Sequence, residues 1–373
     1  MKKQLVVLCI LAAGANAAQA QSNVTIYGNF DEYYGYIRSN SGASISGLND
    51  GAILRTRLGF RGVEDLGGGY QAKFQLEQGI NADTGTGADT SRLFDRQAWV
   101  GMNTPIGEFR AGRQNTIVFF IGGAIDYTER TTFGSVVNTF GLPSRYDNDI
   151  SYKSPRIANF QIDLHYALTE TAGEHVGSRG VYQAGLDYTN GPYRAGYGGL
   201  WAKPLAGDVY SDKVVYHNLY ANYDYGQGKI YAAYVRSNNV TSNANGNNAA
   251  AILNNVSIPN NAFPGTNANV LRMYNIYQLS ADYRIAPALR VGILYGVMRD
   301  TSGGDAGASG GNIGAYYDLS KRTQLYSFAS VLKNERNAGF RFSSSAGPSA
   351  NLAGADINGR RLTGFQAGIL HRF

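Results

Sequence analysis

The sequence predicts an all-β chain, a 16-stranded antiparallel transmembrane β-barrel. Three observations lead there. Apolar and polar residues alternate with a period of two along most of the chain, and no 3.6-residue period persists. Short and long separators alternate between the patterned segments. The last segment also alternates, and it ends on an aromatic residue, Phe373. Composition agrees: 27 Tyr, 48 Gly and 16% charged residues in 373 argue against a coiled coil, a helical bundle and disorder. Beyond residue 20 no apolar run approaches the roughly 18 residues of a spanning helix. The single Cys, Cys9, excludes a disulfide framework and a Cys-based metal site.

Taken in order, the chain opens with an address. Lys2-Lys3, the apolar run Leu5–Ala13 and the Ala18-Gln19-Ala20 triplet have the layout of a secretory signal peptide over residues 1–20, leaving a barrel of 21–373. Losing Lys2 and Lys3 leaves 31 basic against 27 acidic residues, a bias too weak to imply a nucleic-acid partner. Sixteen strands are expected near 24–37, 51–63, 70–81, 92–103, 108–114, 148–154, 160–170, 178–189, 193–203, 214–225, 229–238, 271–285, 288–300, 312–319, 323–334 and 359–373. The first sets Val24, Ile26, Gly28 and Phe30 against Thr25, Tyr27, Asn29 and Asp31; the second sets Leu54, Thr56, Leu58 and Phe60 against Arg55, Arg57, Gly59 and Arg61. Tight separators such as Gly67-Gly68-Gly69 and Asn190-Gly191-Pro192 contrast with the long stretches 115–147, 239–270 and 335–358. The Asn-rich 239–270 reads as a mobile loop.

A soluble sandwich would alternate too, with its apolar face inside. The export signal, the loop asymmetry and the final strand favour the inverse arrangement. A terminal strand pairs with the first one in a closed barrel and leaves no edge, whereas the last residues of soluble domains usually fray. Arg placement fits. Arg55, Arg57 and Arg61 share a face, Arg96 has the parity of Ala98 and Val100, and Arg145 follows a long loop. In a dry interior such groups would cost several kcal/mol each. In a wet lumen they stay hydrated, and about 16 strands enclose one.

Several stretches resemble trimeric Gram-negative general porins, particularly the β-proteobacterial branch. Val24-Thr25-Ile26-Tyr27-Gly28 is similar to their first strand, and Arg57-Leu58-Gly59-Phe60-Arg61-Gly62 with Glu64-Asp65-Leu66-Gly67-Gly68-Gly69 to their second strand and turn. Trp99-Val100-Gly101 through Gly112-Arg113-Gln114 is similar to the strands that lead into a constriction loop, and His371-Arg372-Phe373 to their C-terminal assembly signal. The resemblance implies a homotrimer in the outer membrane, with lipid, lipopolysaccharide and the barrel-assembly machinery as partners. It implies a third loop, 115–147, folded into the lumen. It also implies a constriction built from Arg57, Arg61, Arg96 and Arg145 on the wall and Asp126 and Glu129 on the loop, with small residues such as Gly28, Ala98 and Ala367 at the trimer contact. This loop has no Pro-Glu-Phe-Gly run, which enterobacterial relatives often carry, and Arg130 follows Glu129 directly.

The implied function is passive passage of ions and small hydrophilic solutes, with an Arg excess favouring anions. A substrate-specific channel for a sugar or an organic anion is the alternative, because the Tyr content suits an aromatic track. A barrel hydrolase is the third class. No G-x-S-x-G elbow accompanies His165, His175, His217 or His371. No phosphate-binding Gly-rich loop and no His-Glu-x-x-His occurs, so neither nucleotide nor metal cofactor is expected.

Overall fold

The computed structural model describes residues 23–168, 180–202, 214–238, 273–301 and 303–373. The expected signal segment and the 239–270 loop lie outside these residues. Seventeen strands form one sheet: β1 (Asn23–Ser39), β2 (Ser44–Asp50), β3 (Arg57–Gly67), β4 (Tyr70–Gly79), β5 (Gln97–Thr104), β6 (Gly107–Asn115), β7 (Arg145–Lys153), β8 (Phe160–Ala167), β9 (Val181–Asn190), β10 (Tyr193–Ala202), β11 (Val214–Asp224), β12 (Lys229–Ser237), β13 (Tyr274–Ala286), β14 (Leu289–Asp300), β15 (Ala308–Asp318), β16 (Thr323–Asn334) and β17 (Arg361–Arg372). All neighbours pair antiparallel, and the sheet closes where β1 meets β17, from Asn29 opposite Arg372 to Ser39 opposite Leu362.

The barrel nevertheless has sixteen staves. β2 pairs with the upper half of β1 and β3 with its lower half, so the two are one stave interrupted at 51–56. The interruption has a local cause. The Asp31 carboxylate accepts hydrogen bonds from the backbone N–H groups of Ile53 (2.8 Å) and Leu54 (2.7 Å), and the Thr56 hydroxyl accepts from the Asp31 N–H (2.9 Å). These bonds draw Ala52 and Ile53 inward, and both are buried. The expected strand 51–63 therefore starts six residues late, and β2 was not foreseen. Its Ser- and Gly-rich sequence carries little apolar signal, whereas the apolar Ala52-Ile53-Leu54 imitates a strand.

Parity follows the ladders. On β1 the residues Phe30 and Tyr34 point outward and are exposed, while Asp31, Tyr33 and Ile37 point inward and are buried. The same inversion recurs around the barrel: Leu279, Ile293, Tyr295 and Ile313 are exposed outward, opposite Gln278, Leu294 and Asn312 inside. On β17 Phe365, Ala367, Ile369 and His371 form the outward set, as the sequence pattern implies. This is the apolar-out alternation of a lipid-facing barrel.

Two connections fold inward. The third (116–144) carries helices α1 (Ile117–Phe120) and α2 (Val136–Phe140) and crosses to the far wall. The Gln183 side chain on β9 accepts from Ile117 N–H (3.0 Å), Ser280 on β13 accepts from Tyr127 N–H (3.1 Å), and Gln366 on β17 accepts from Phe133 N–H (2.9 Å). Close approach is possible because the wall beneath lacks side chains. A Cβ at Gly292 would overlap the Tyr127 ring, and one at Gly296 would overlap Val136. The last connection (335–360) also enters, and Phe342 stacks on Phe133 with ring centroids 5.0 Å apart.

Candidate constriction of the lumen

One side of the lumen at mid-height is lined from β3, β4, the 51–56 interruption and the ends of the third connection. Glu77 on β4 points inward and sits at the centre. Its Oε1 accepts from Arg96 Nε at 2.6 Å, with Arg57 Nη1 3.7 Å away, and its Oε2 accepts from the Tyr27 hydroxyl at 2.9 Å. Arg145 lies close enough that Arg96, Glu77, Arg113 and Arg57 all act on its charge. Its guanidinium also stacks on Phe119 of α1, 5.0 Å from the ring centroid. A second carboxylate, Asp147, accepts from Arg92 Nη1 (2.7 Å) and Arg113 Nη1 (2.6 Å). Arg55 reaches Asn81 Oδ1 at 2.9 Å.

Three of the expected wall residues, Arg57, Arg96 and Arg145, thus converge around one carboxylate. Arg61 does not join them. It shares their lumen face, two inward positions along β3, but lies exposed with its guanidinium over the Tyr27 ring, 5.2 Å from the centroid. Arg96 does not follow the face of Ala98 and Val100. Ala98 pairs with Leu76 and Val100 with Phe74, so that parity faces lipid. Arg96 points inward because regular alternation begins only at Gln97, and the preceding residues leave the strand geometry. The expected hydration of these groups also needs correction. Arg145 is 1% exposed and Arg96 is 3% exposed. Their charges are held by carboxylates and an aromatic face rather than by water alone.

Of the two loop acids that the resemblance implies, Asp126 does not face the Arg wall. Asp126 is 1% exposed and ties the loop together. Its Oδ1 accepts from the N–H groups of Thr128 (2.9 Å) and Arg130 (2.8 Å), and its Oδ2 accepts from Gln278 Nε2 on β13 (2.6 Å). Burial pushes its carboxyl above the usual carboxylate range, and the donated hydrogen bonds oppose that shift. Glu129 is exposed, in left-handed backbone with φ 56°, and Arg130 beside it is buried against Phe119 at 5.3 Å. The structure does not bring Asp126 to the Arg wall; it buries that acid in the loop's own fastening.

Residues missed from sequence were Glu77, Arg113 and Asp147. Glu77 carried a signal, since it shares the polar parity of Gln75 on an alternating strand. Arg113 and Asp147 carried none, because a register shift between Gly112 and Gln114 disturbs the ladder where they sit. Elsewhere on the lumen wall His165 lies between Asp149 (2.7 Å) and Asp163 (3.1 Å). Among the described residues, no cluster of His, Cys, Asp and Glu side chains has the grouping needed to hold a metal.

The arrangement can narrow an aqueous path and set a fixed positive charge on its wall. A family model described as Gram-negative porin matches residues 6–337. An outer membrane porin protein of Bordetella pertussis is 32% identical over 372 residues, covering 90% of this chain and 95% of the relative. Outer membrane porin protein 32 of Delftia acidovorans is 30% identical, with both chains covered in full. A solved structure, the anion-selective porin from Comamonas acidovorans, superposes with a TM-score of 0.74 at 26% identity, covering 95% of this chain and all of the other.

Proposed function

Because the chain belongs to the Gram-negative porin family, we propose that its outer-membrane channel passes small hydrophilic solutes passively and prefers anions to cations. It is a channel protein and not an enzyme. One observation carries the anion preference: the guanidinium groups of Arg57, Arg96 and Arg145 share the single carboxylate Glu77. The surplus is held on a low-dielectric wall beside water, which focuses its field on the path. Asp50 also acts on Arg55 and Arg57, and Asp95 and Asp89 act on Arg55; Asp50 and Asp95 are buried and accept from the backbone N–H groups of Thr56 (3.3 Å) and Gly79 (2.6 Å), and Asp89 is shared with Arg92 at 3.8 Å. The anion-selective relative supports the same sign. The reversal potential across a planar bilayer with a tenfold salt gradient tests it. A zero-current potential on the cation side overturns the reading.

The working unit in this reading is a homotrimer, formed in contact with outer-membrane lipid after delivery by the barrel-assembly machinery. Glu32 supports a protein neighbour. It lies on the outward parity midway along β1, between Phe30 and Tyr34, where a carboxylate facing hydrocarbon is unfavourable. Of the small residues expected at the contact, Ala98 and Ala367 do face outward, whereas Gly28 is roofed by the Phe373 ring.

A further inference from the structure

A cleft of about 140 Å³ opens into the lumen beneath the third connection, against the inner face of β7 to β11. Its floor is apolar. α1 ends there, and Ile117, Phe120 and Ile121 face the cleft. Ile117 and Ile121 are buried, whereas the Phe120 ring is 47% exposed beside an aqueous path. Gly185 of β9 lets α1 come this close, because a Cβ there would overlap the Ile117 side chain. Lys153, Asp163, Asp187 and Arg194 form the rim, from the short-turn ends of β7, β8, β9 and β10.

The two signs of charge on this rim are unequally engaged. Asp187 accepts from Arg156 Nη2 (2.5 Å), Arg194 Nε (2.7 Å) and the Tyr220 hydroxyl (2.7 Å). Asp163 faces His165 Nε2 at 3.1 Å. Both carboxylates thus have donors close by. Lys153 meets Asp163 at 3.9 Å, beyond hydrogen-bond length, and its side chain stays 42% exposed. Arg194 holds Asp187 through Nε and is also partly exposed. An ammonium has three donors and a guanidinium five, so both cations keep N–H groups for a further acceptor. Lys153 Nζ lies 5.8 Å from the centroid of the Phe120 ring. A second ring stacked offset on Phe120 therefore carries a carboxylate substituent toward the ammonium. The size agrees, since an apolar cavity of ~150 Å³ holds one benzene.

We propose that this cleft is a transit subsite for monocyclic aromatic carboxylates, with the ring on Phe120 and the carboxylate on Lys153 and Arg194. The inference rests on the porin reading and deepens it, naming one class of solute and a resting point apart from the cluster of Arg57, Arg96 and Arg145. Chloride is the wrong occupant, because it uses the cations and gains nothing from the apolar floor. A neutral apolar solute uses the floor and leaves the cations unanswered.

The test titrates sodium benzoate, sodium acetate and benzyl alcohol into the detergent-solubilised protein by calorimetry, and adds each to planar bilayers holding single channels. Benzoate should bind one site per chain and interrupt the open current, with acetate and benzyl alcohol about tenfold weaker. Phe120→Ser and Lys153→Gln should each weaken benzoate binding by about tenfold. Arg57→Ala should hold the benzoate affinity within about twofold, since that charge lies in the constriction. A tenfold loss in Arg57→Ala moves the site to the constriction and overturns the subsite. Equal affinity for acetate marks a plain anion site, equal affinity for benzyl alcohol a plain apolar cleft, and either overturns it. Wild-type affinity in Phe120→Ser does so too. Should that variant fail to fold, Lys153→Gln decides. A protein that binds benzoate in this way but opens no channels would sink the porin reading and leave the subsite standing. Conducting channels indifferent to benzoate would sink the subsite alone.

Discussion

Glu77 accepts from Arg96 and lies beside Arg57, so changes at these three positions should move selectivity in opposite directions. A unit charge about 8 Å from the permeation path is worth about 0.5 kcal/mol in water. Because that charge acts with opposite sign on anion and cation, the two effects add to about 1 kcal/mol, about a fivefold change in the anion-to-cation permeability ratio. Glu77→Gln removes the shared carboxylate and should raise anion preference by that factor. Arg57→Ala and Arg96→Ala should each lower it by a similar factor, read as a reversal potential displaced toward cations. Unchanged potentials in both Arg variants would remove these residues from the filter. All three effects should shrink in high salt, because the screening length falls to about 3 Å at 1 M.

At the scale of an element, the third connection is a strap fastened to the opposite wall. Asp126 gathers donors from its own loop and from Gln278 across the lumen. Asp126→Ala leaves those donors unpaired, and about 2–4 kcal/mol of loop fastening should be lost. Open-channel current noise should rise while the reversal potential holds, because Asp126 lies outside the Arg cluster; a displaced potential with quiet current would contradict that role. Gly134 has φ +87°, and a Cβ there would overlap the Gly311 carbonyl, so Gly134→Ala should give the same noise. Deleting most of 115–147 should raise single-channel conductance. Removing 338–352 should raise it further, since Phe340 and Phe342 fill the lumen beside the strap. Equal conductance in the second deletion would place that loop outside the conducting path.

For the whole molecule, the chain's last residue completes a closure that eleven facing pairs of β1 and β17 make. Phe373 exchanges backbone hydrogen bonds with Gly28 at 3.1 and 3.2 Å, and its exposed ring lies over that glycine on the outer face. Removing Phe373 leaves the Gly28 N–H and C=O without their partners at the end of the closing pair beside lipid, where unpaired backbone is costly. The yield of folded, heat-modifiable protein in outer-membrane fractions should fall several-fold. Normal yield would contradict the role given to this residue. Restoring Tyr at 373 should recover assembly better than restoring Ser, since the aromatic ring covers Gly28.

Sequence alone was enough to place most strands, although not β2, with their outward faces and the side of the chain that carries Arg57. These follow from a period of two, which any half-lipid, half-water strand must obey, so each residue's neighbours suffice to read it. What the tertiary structure alone decided lies where that period breaks. Asp31 captures the backbone at 53 and 54 and splits a stave, Arg96 turns inward ahead of its strand, and Asp126 faces Gln278, 152 residues away in the chain. Phe133 meets Phe342 in the same way, from two loops that a local pattern cannot relate. Such contacts exist only once closure has brought opposite walls within a loop's reach, and the chain order of their partners carries no trace of it.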